Sequence, residues 1–223
     1  MGDGIFLYFF GGVSQEGSFW KTAFEQVLFE LARWLLPISI CLLAEGVSLE
    51  NWRKIESFSC YRHEAVKIWW RRKFVRILLE GMSVAAVLLT VTIMIDVVGA
   101  VEFSGEIWKV LVLWIPHIMT IMSFFIVLDL TKYRKFAPAA ILLLEGFTFL
   151  VGFRFSGIAR FMYGMWGMYF QSEWYFGETG VPVITSLMAD VILFGLSYLA
   201  GRILLERRYK AGSHKTNVLL GKA

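Results

Sequence analysis

The sequence predicts an all-α protein: a polytopic transmembrane helical bundle of about five spans, forming one domain over residues 1–223. Three observations predict this class: 57% of the 223 residues are apolar, only 18% are charged, and 17% are aromatic. Soluble domains are nearer half apolar and a quarter charged, and aromatic side chains collect at the interfaces of a bilayer. The same composition excludes a disordered chain, a nucleic-acid-binding module and a disulfide-stapled secreted domain.

Five stretches are long and apolar enough to cross the hydrocarbon, which takes about 20 residues. We expect the spans at about 24–46, 77–98, 110–128, 136–153 and 181–205. The third carries no formal charge, whereas the fourth contains Glu145 and the fifth contains Asp190. In the first span only 34–44 is free of charge. Glu30 and Arg33 must therefore lie near an interface or pair with each other.

The distribution of basic residues predicts the orientation. Seventeen of the 22 Lys and Arg residues fall in the loop 47–76, in the loop after the third span, or in the tail from Arg202 onwards. Four fall on the opposite side of the membrane. By the positive-inside rule the C-terminus lies in the cytoplasm, and five spans then place the N-terminus outside.

Two further segments are not expected to cross the membrane. The apolar stretch 4–13 is too short, so it is either an interfacial anchor or the end of a shortened extra span. The segment 154–180 is rich in aromatic residues and has no clean apolar centre. We expect a re-entrant or interfacial element on the outer face, because a sixth crossing would move the basic tail outside.

The motifs of several enzyme and cofactor classes are absent from the sequence. It has no phosphate-binding G-x-x-x-x-G-K-[ST] loop, no H-E-x-x-H zinc motif, no C-x-x-C pair and no G-x-S-x-G elbow. We therefore expect no catalytic residues, no metal and no cofactor. Cys41 lies in an apolar run and Cys60 in a basic loop, so two free thiols are expected.

Ionisable residues inside spans are costly and serve as candidates for function. The substrate-path candidates are Glu145, Asp190 and His117, the last beside a kink expected at Pro116. The competing interpretation is structural, because polar side chains often hydrogen-bond one transmembrane helix to another.

The loop 47–76 is expected to form two short amphipathic helices on the cytoplasmic side. Four apolar residues recur at threefold spacing on one predicted helix face, with two basic residues beside them: Leu49, Trp52, Ile55 and Phe58, with Arg53 and Lys54. An exposed apolar stripe of this kind favours docking of a partner protein. A membrane anchor facing lipid is the competing interpretation.

Two runs of the sequence resemble a known family. The run CYRHEAVKIWWRRKFVRIL, entering the second span, and the later run GMWGMYFQSEWY are similar to small membrane permeases of ABC-type exporters, in the bacteriocin and lantibiotic export or immunity class. The resemblance implies a permease in a bacterial plasma membrane that forms a homodimer, or a heterodimer with another permease. It also implies a separate ATP-hydrolysing subunit, received by a coupling helix in the loop 47–76. In that plan 24–46 is the second span, and the first is missing or shortened to 4–13.

Three functions compete on these grounds. The first is an exporter permease that moves an amphipathic peptide or lipid-like substrate, with lipid and an ATPase subunit as partners. The second is a non-transporting immunity or assembly protein that binds another membrane protein through its aromatic outer segment. The third is a membrane enzyme acting on lipid through Arg160, Glu173 and Glu178, which is disfavoured because no nucleophile–base pair is visible.

Overall fold

The computed structural model describes residues 4–13, 24–59, 66–99 and 106–220, and these residues are almost entirely helical. The α-helices are α1 (Ile5–Phe10), α2 (Phe24–Ser59), α3 (Val66–Val98), α4 (Ile107–Asp129), α5 (Ala137–Arg154), α6 (Glu173–Phe176) and α7 (Val183–Leu220). Short 3-10 turns lie before α5 and between α5 and α7. Across these described ranges there is no β-strand, only an isolated bridge between Ser172 and Val181.

Five helices in the described ranges are long and apolar enough to span a membrane, as the sequence predicts. Their apolar spans are Glu25–Lys54, Lys67–Val98, Ile107–Asp129, Arg134–Arg154 and Val183–Arg207. The all-helical class is therefore confirmed for the described residues, and so is the number of helices that are long and apolar enough to span a membrane.

The first two helices are longer than the sequence analysis expects. Helix α2 continues without a break to Ser59, and α3 already begins at Val66. No Gly or Pro interrupts 47–59, and Glu50 precedes Lys54 at the i,i+4 spacing that favours a helix. The prediction of a loop with two separate amphipathic helices at 47–76 is therefore wrong for the described residues. Residues 47–59 continue α2, and residues 66–76 are the start of α3. Residues 60–65, which include Cys60, lie outside the described residues.

Helix α4 lies at the centre of the bundle. In its apolar window 61% of residues are buried inside the structure, against 22% for the windows of α3 and α7. The physical reason is its sequence, in which bulky apolar side chains occur all round the helix. Fully buried examples are Trp114, Ile118, Ile121, Met122 and Ile126. A helix that is apolar on every side is the one to place between the others.

The segment 4–13 packs against the bundle and does not cross it. Helix α1 has six residues, a length of about 9 Å, against the roughly 30 Å of the hydrocarbon. The backbone N–H groups of Ile5 and Phe6 donate to the Asp96 carboxylate of α3 at 2.7 and 2.8 Å. Phe10 is buried with its ring edge-on to Trp114, at a centroid distance of 4.9 Å.

Arg33 of α2 contacts the same N-terminal segment, 4–13. Its guanidinium donates to the carbonyl of Gly12 at 3.0 Å and lies over the ring of Tyr8 at 4.0 Å. It also lies 4.0 Å from Glu30, one turn earlier on α2. Of the two alternatives for these charges, a position near an interface or a pairing with each other, the i,i+3 pairing is present.

The aromatic segment between α5 and α7 folds as a string of short turns. These are the 3-10 turns Ser156–Phe161, Tyr163–Met165, Tyr169–Gln171 and Gly177–Thr179, together with α6. The N–H of Phe170 donates to Gly11 O at 2.9 Å, and Gln171 Nε2 donates to Val13 O at 2.7 Å. The segment is thereby tied to the residues that follow α1. As expected, it does not add a sixth membrane-spanning helix to the described structure.

Candidate intramembrane polar site

Three polar residues chosen from the sequence meet inside the bundle. His117 of α4 lies between Glu145 of α5 and Asp190 of α7. Its Nε2 is 2.9 Å from Glu145 Oε1, and its Nδ1 is 3.5 Å from Asp190 Oδ1. The three side chains are at most 2% exposed. We call these residues the polar cluster.

The local sequence explains how these three positions come together. Helices α4 and α7 pack along each other, and Thr120, one turn after Pro116, donates both to Pro116 O at 3.0 Å and to Asp190 O at 3.1 Å. On α5 a small residue, Gly146, follows Glu145. Leu31 and Leu35 of α2 lie beside Gly146, at ordinary contact distance from the position that a Cβ would occupy there.

Two aromatic residues that the sequence analysis did not select complete the cluster. Trp34 of α2 donates its indole N–H to Glu145 Oε1 at 3.4 Å. The ring of Tyr163, from a 3-10 turn, lies against the imidazole of His117 with the ring centroids 4.6 Å apart. The one sequence signal for Tyr163 is the unusual density of aromatic residues and glycines around it.

Glycines let the turn segment approach so closely. A Cβ built on Gly167 would lie 2.5 Å from His117 Cδ2, closer than real atoms come. A Cβ on Gly164 would collide with the carbonyl oxygen of Glu145, and the Gly164 N–H donates to Thr148 Oγ1 at 2.9 Å. The backbone of 163–167 and the ring of Tyr163 therefore pack directly on the polar cluster, and we call this segment the lid.

Several polar atoms of the cluster are buried without a hydrogen-bond partner in the described part of the chain. They are His117 Nδ1, Glu145 Oε2, Asp190 Oδ1 and Tyr163 Oη. Leaving a buried polar group unsatisfied costs about 1–3 kcal/mol, more for a charged one. Four such atoms in one place are more than simple cross-linking of helices needs.

The charges of the cluster do not balance without additional protons. Glu145 and Asp190 contribute two negative charges if ionised, and His117 contributes at most one positive charge. Nε2 lies within hydrogen-bond distance of Glu145, and Nδ1 faces Asp190 Oδ1 at the longer distance of 3.5 Å, so a protonated imidazole would direct one N–H towards each carboxylate. One negative charge then remains buried in the bundle, where a net charge is expensive.

Tyr163 keeps its proton in this environment. Burial, followed by the nearby carboxylates of Glu145 and Asp190, raises the pKa of Tyr163 well above its usual value. Its hydroxyl is therefore a hydrogen-bond donor, not a charged group, at neutral pH.

The residues chosen as a docking face are placed differently from the expectation. Leu49 is completely buried, because α2 continues as one helix and Leu49 extends its core-facing stripe. That stripe comprises Ile38, Leu42, Glu45 and Leu49. Trp52 is half-buried and edge-on to Trp69 of α3, with ring centroids 6.4 Å apart.

Of the remaining docking candidates, the structure describes the side chains of the two basic residues but not those of the two apolar ones. Arg53 forms a salt bridge with Asp129 at the end of α4, and Lys54 is exposed. The side chains of Ile55 and Phe58 lie outside the described residues. The expected exposed stripe is thus corrected at Leu49 and Trp52, whose side chains hold α2 to its neighbours.

A second buried polar group, at the end of the bundle that carries Asp129, was not found from the sequence. Lys73 of α3 is 1% exposed, and its Nζ lies 4.0 Å from Asp129 Oδ2 and 5.1 Å from the ring centre of Trp69. Glu45 of α2 is also fully buried, and neither carboxylate oxygen has a hydrogen-bond partner among the described residues. The sequence carries no signal for this group, since its members come from three helices.

Metal binding receives no support from the described ranges. They contain no group of three or more His, Cys, Asp and Glu side chains arranged to hold a metal ion. Cys41 is a buried free thiol.

No protein-family model, no curated protein and no solved structure matches this chain. The resemblance to exporter permeases therefore remains a prediction from the sequence.

Proposed function

We propose that the chain is a membrane-spanning permease subunit of an ABC-type transporter that exports or relocates an amphipathic peptide or lipid-like substrate. The observation that carries this proposal is the polar cluster, in which ionisable side chains from α4, α5 and α7 meet in the interior of the bundle. In this proposal the substrate path runs beside that cluster.

The cost of the cluster supports a functional role over a purely structural one. A structural cross-link between transmembrane helices needs only a neutral hydrogen-bonded pair, worth about 0.6–2 kcal/mol. Here two carboxylates and an imidazole are fully buried, with unsatisfied atoms on all three. Buried ionisable groups of this kind are typical of substrate pathways, ion pathways and proton relays in membrane proteins.

The energy for transport would come from a separate subunit, because the sequence has no phosphate-binding loop. We place the docking surface at the junction of α2 and α3, on the side that we assign to the cytoplasm. Exposed basic residues are concentrated there: Lys54, Lys67, Arg71, Arg72 and Arg76. An acidic surface on the ATPase would complement them. Dimerisation with a second permease chain belongs to the same proposal.

Co-purification tests the partner. Tagged chain is extracted from its native membranes in mild detergent, its companions are identified by mass spectrometry, and ATP hydrolysis of the eluate is measured. The proposal expects a nucleotide-hydrolysing subunit to elute with the wild-type chain. A homogeneous chain without ATPase activity under conditions that keep other membrane complexes intact would overturn it.

Vesicle transport tests the path. Inside-out vesicles containing the complex receive ATP and either a labelled amphipathic cationic peptide or a labelled phospholipid. The proposal expects E145Q and D190N to reduce the ATP-driven movement of one probe to the rate without ATP, with assembly unchanged. E80Q, which alters an exposed ion pair with Arg76, is the matched control and retains transport.

One observation favours a second candidate, a non-transporting protein that binds another membrane protein. Large apolar side chains of the aromatic segment are exposed: Phe155, Ile158, Phe161 and Tyr175. An exposed apolar patch of this kind is typical of an interaction surface. In this case F161A would release a membrane partner, whereas E145Q and D190N would leave that partner bound.

A further inference from the structure

We propose that the polar cluster of Glu145, His117 and Asp190 is a proton-binding site that takes up and releases one proton during the working cycle. This proposal rests on the proposed function. It adds that the substrate path beside the polar cluster contains an exchangeable proton. The carrying observation is one imidazole between two carboxylates, closed inside the bundle.

The number of protons follows from the groups that face the imidazole. Helix α5 contributes Glu145 and α7 contributes Asp190, α2 contributes the non-titrating Trp34, and the turn segment contributes the hydroxyl of Tyr163. When the imidazole is protonated and both carboxylates are ionised, the cluster has a net charge of one negative. With a second proton, on a carboxylate, it is neutral. The two states differ by one proton and by one unit of buried charge.

The chemistry of the step is a simple protonation. A carboxylate oxygen of the cluster forms an O–H bond with a proton delivered by water, and the same bond breaks on release. The imidazolium stays hydrogen-bonded to Glu145 through Nε2, which lies 2.9 Å from Oε1. No oxidant, reductant or other co-reactant is needed.

The surroundings supply places for this proton. Glu145 Oε2 and Asp190 Oδ1 are buried acceptors without a hydrogen-bond partner in the described ranges, and Tyr163 Oη is a buried hydroxyl in the same condition. Tyr163 is 92% buried (8% exposed), and its ring packs on the imidazole. The Tyr163 hydroxyl is a second observation, separate from the two acidic residues. A buried hydroxyl without a hydrogen-bond partner indicates that the cluster has another state, in which the added proton gives this group a partner.

The separation of the groups favours a proton over a larger cation. The 2.9 Å between His117 Nε2 and Glu145 Oε1 is the length of an N–H···O hydrogen bond. The lid of Tyr163 and Gly167 lies directly on the imidazole, and Gly167 leaves no space even for a methyl group. Binding of Na⁺ or K⁺ at this position is therefore the competing interpretation, and the experiment below distinguishes it from proton binding.

Infrared spectroscopy of the purified full chain tests the proposal without partner or substrate. The chain is reconstituted into vesicles of phosphatidylethanolamine and phosphatidylglycerol, and pH is stepped from about 9 to about 5, a range in which carboxyl groups with the ordinary pKa of about 4 stay ionised. The expected result is a carbonyl-stretch band of a protonated carboxylic acid that grows as pH falls. The band is expected to disappear in E145Q/D190N and to persist in D96N, a buried carboxylate outside the cluster.

The single variants and H117Q separate a loss of proton binding from a loss of folding. If E145Q/D190N does not fold, the single variants E145Q and D190N are compared, and one of them must lose the band. H117Q keeps both carboxylates and must shift the midpoint pH of the band. A spectrum that is independent of pH, a band unchanged in all cluster variants, or a response to Na⁺ or K⁺ at constant pH in place of the pH response would overturn the proposal. Because no ATPase is present, such a failure leaves the co-purification test unaffected.

Discussion

His117 Nε2 and Glu145 Oε1 lie 2.9 Å apart, although the two residues are 28 positions apart in the chain and belong to different helices. The contact joins the central helix α4 to α5, and Asp190 joins the same imidazole to α7. A single histidine thus connects three of the five long apolar helices, and its removal takes away the group that both carboxylates face.

We predict that His117→Ala strongly destabilises the chain. Removing one partner of a buried charge network costs about 3–5 kcal/mol, because the remaining charges stay buried. Adding E145Q and D190N to the same variant should recover part of this loss, since the carboxylates are then neutral. Thermal unfolding in detergent measures both effects. An equal melting temperature for wild type and His117→Ala would contradict the ion-pair geometry.

We predict that Gly167→Ala is destabilising whereas Gly157→Ala is not. A Cβ at Gly167 meets the His117 ring, whereas a Cβ at Gly157 meets nothing within 4 Å. Overpacking costs about 1–3 kcal/mol, and an unconstrained surface change stays within about 0.5 kcal/mol. Both residues belong to the same aromatic segment, so the pair isolates the close approach to His117. Equal melting temperatures for the two variants would show that the lid does not contact the ring.

We predict that Asp96→Ala loosens the segment 4–13. The Asp96 carboxylate accepts from the N–H groups of Ile5 and Phe6, as a capping residue does, and loss of a cap costs about 0.5–2 kcal/mol. Faster limited proteolysis near the N-terminus is the expected readout. Thr90→Ala, on an exposed part of the same helix, is the control and should digest like the wild-type chain. Equal digestion rates for Asp96→Ala and the control would contradict the capping role.

We predict a large difference between two ion pairs of the bundle. Asp129 is 4% exposed and contacts Arg53 and Lys73, so Asp129→Asn removes a buried charge-assisted contact and should cost about 1.5–3 kcal/mol. Glu80 is 40% exposed, and its pair with Arg76 is solvated. Glu80→Gln should therefore cost about 0–1 kcal/mol. Chemical denaturation of the two variants side by side checks the contrast, and similar losses would refute the burial of Lys73 and Asp129.

We predict that the C-terminal tail is cytoplasmic and that 154–180 faces outward. In a chain without its native cysteines, Ser213→Cys should resist a membrane-impermeant thiol reagent applied to intact cells, and Glu178→Cys should react. The reason is the concentration of basic residues in the tail and in the region 47–76. The reverse labelling pattern would invert the proposed orientation and move the docking surface to the other face.

Sequence reasoning identified the three members of the polar cluster but not the contact between them. An ionisable residue in an apolar span stands out by its cost alone, so Glu145, His117 and Asp190 were identifiable one by one. Their distances depend on how α4, α5 and α7 rotate and pack, which hydropathy does not encode. Trp34 and Tyr163 were missed for the same reason, because an aromatic residue near a membrane is ordinary until its neighbour is known.

The proposed docking face shows how the same reasoning fails. Spacing along a helix indicates which residues share a face, but not whether that face meets solvent or another helix. Leu49 has the spacing expected of an exposed stripe, yet it is fully buried because α2 does not end before it. The length of a helix beyond its apolar window was the missing information.

The sequence by itself determined the all-helical class, the five segments long and apolar enough to span a membrane, and the identity of the three residues of the polar cluster. These properties follow from local composition, since an apolar stretch of sufficient length must be helical in a membrane and a charge within it is visible in the sequence. Only the tertiary structure decided that α1 is fastened by Asp96, that 163–167 covers His117, and that Lys73 and Asp129 share a buried site. These are contacts between residues distant in the chain, and they depend on helix rotation and packing.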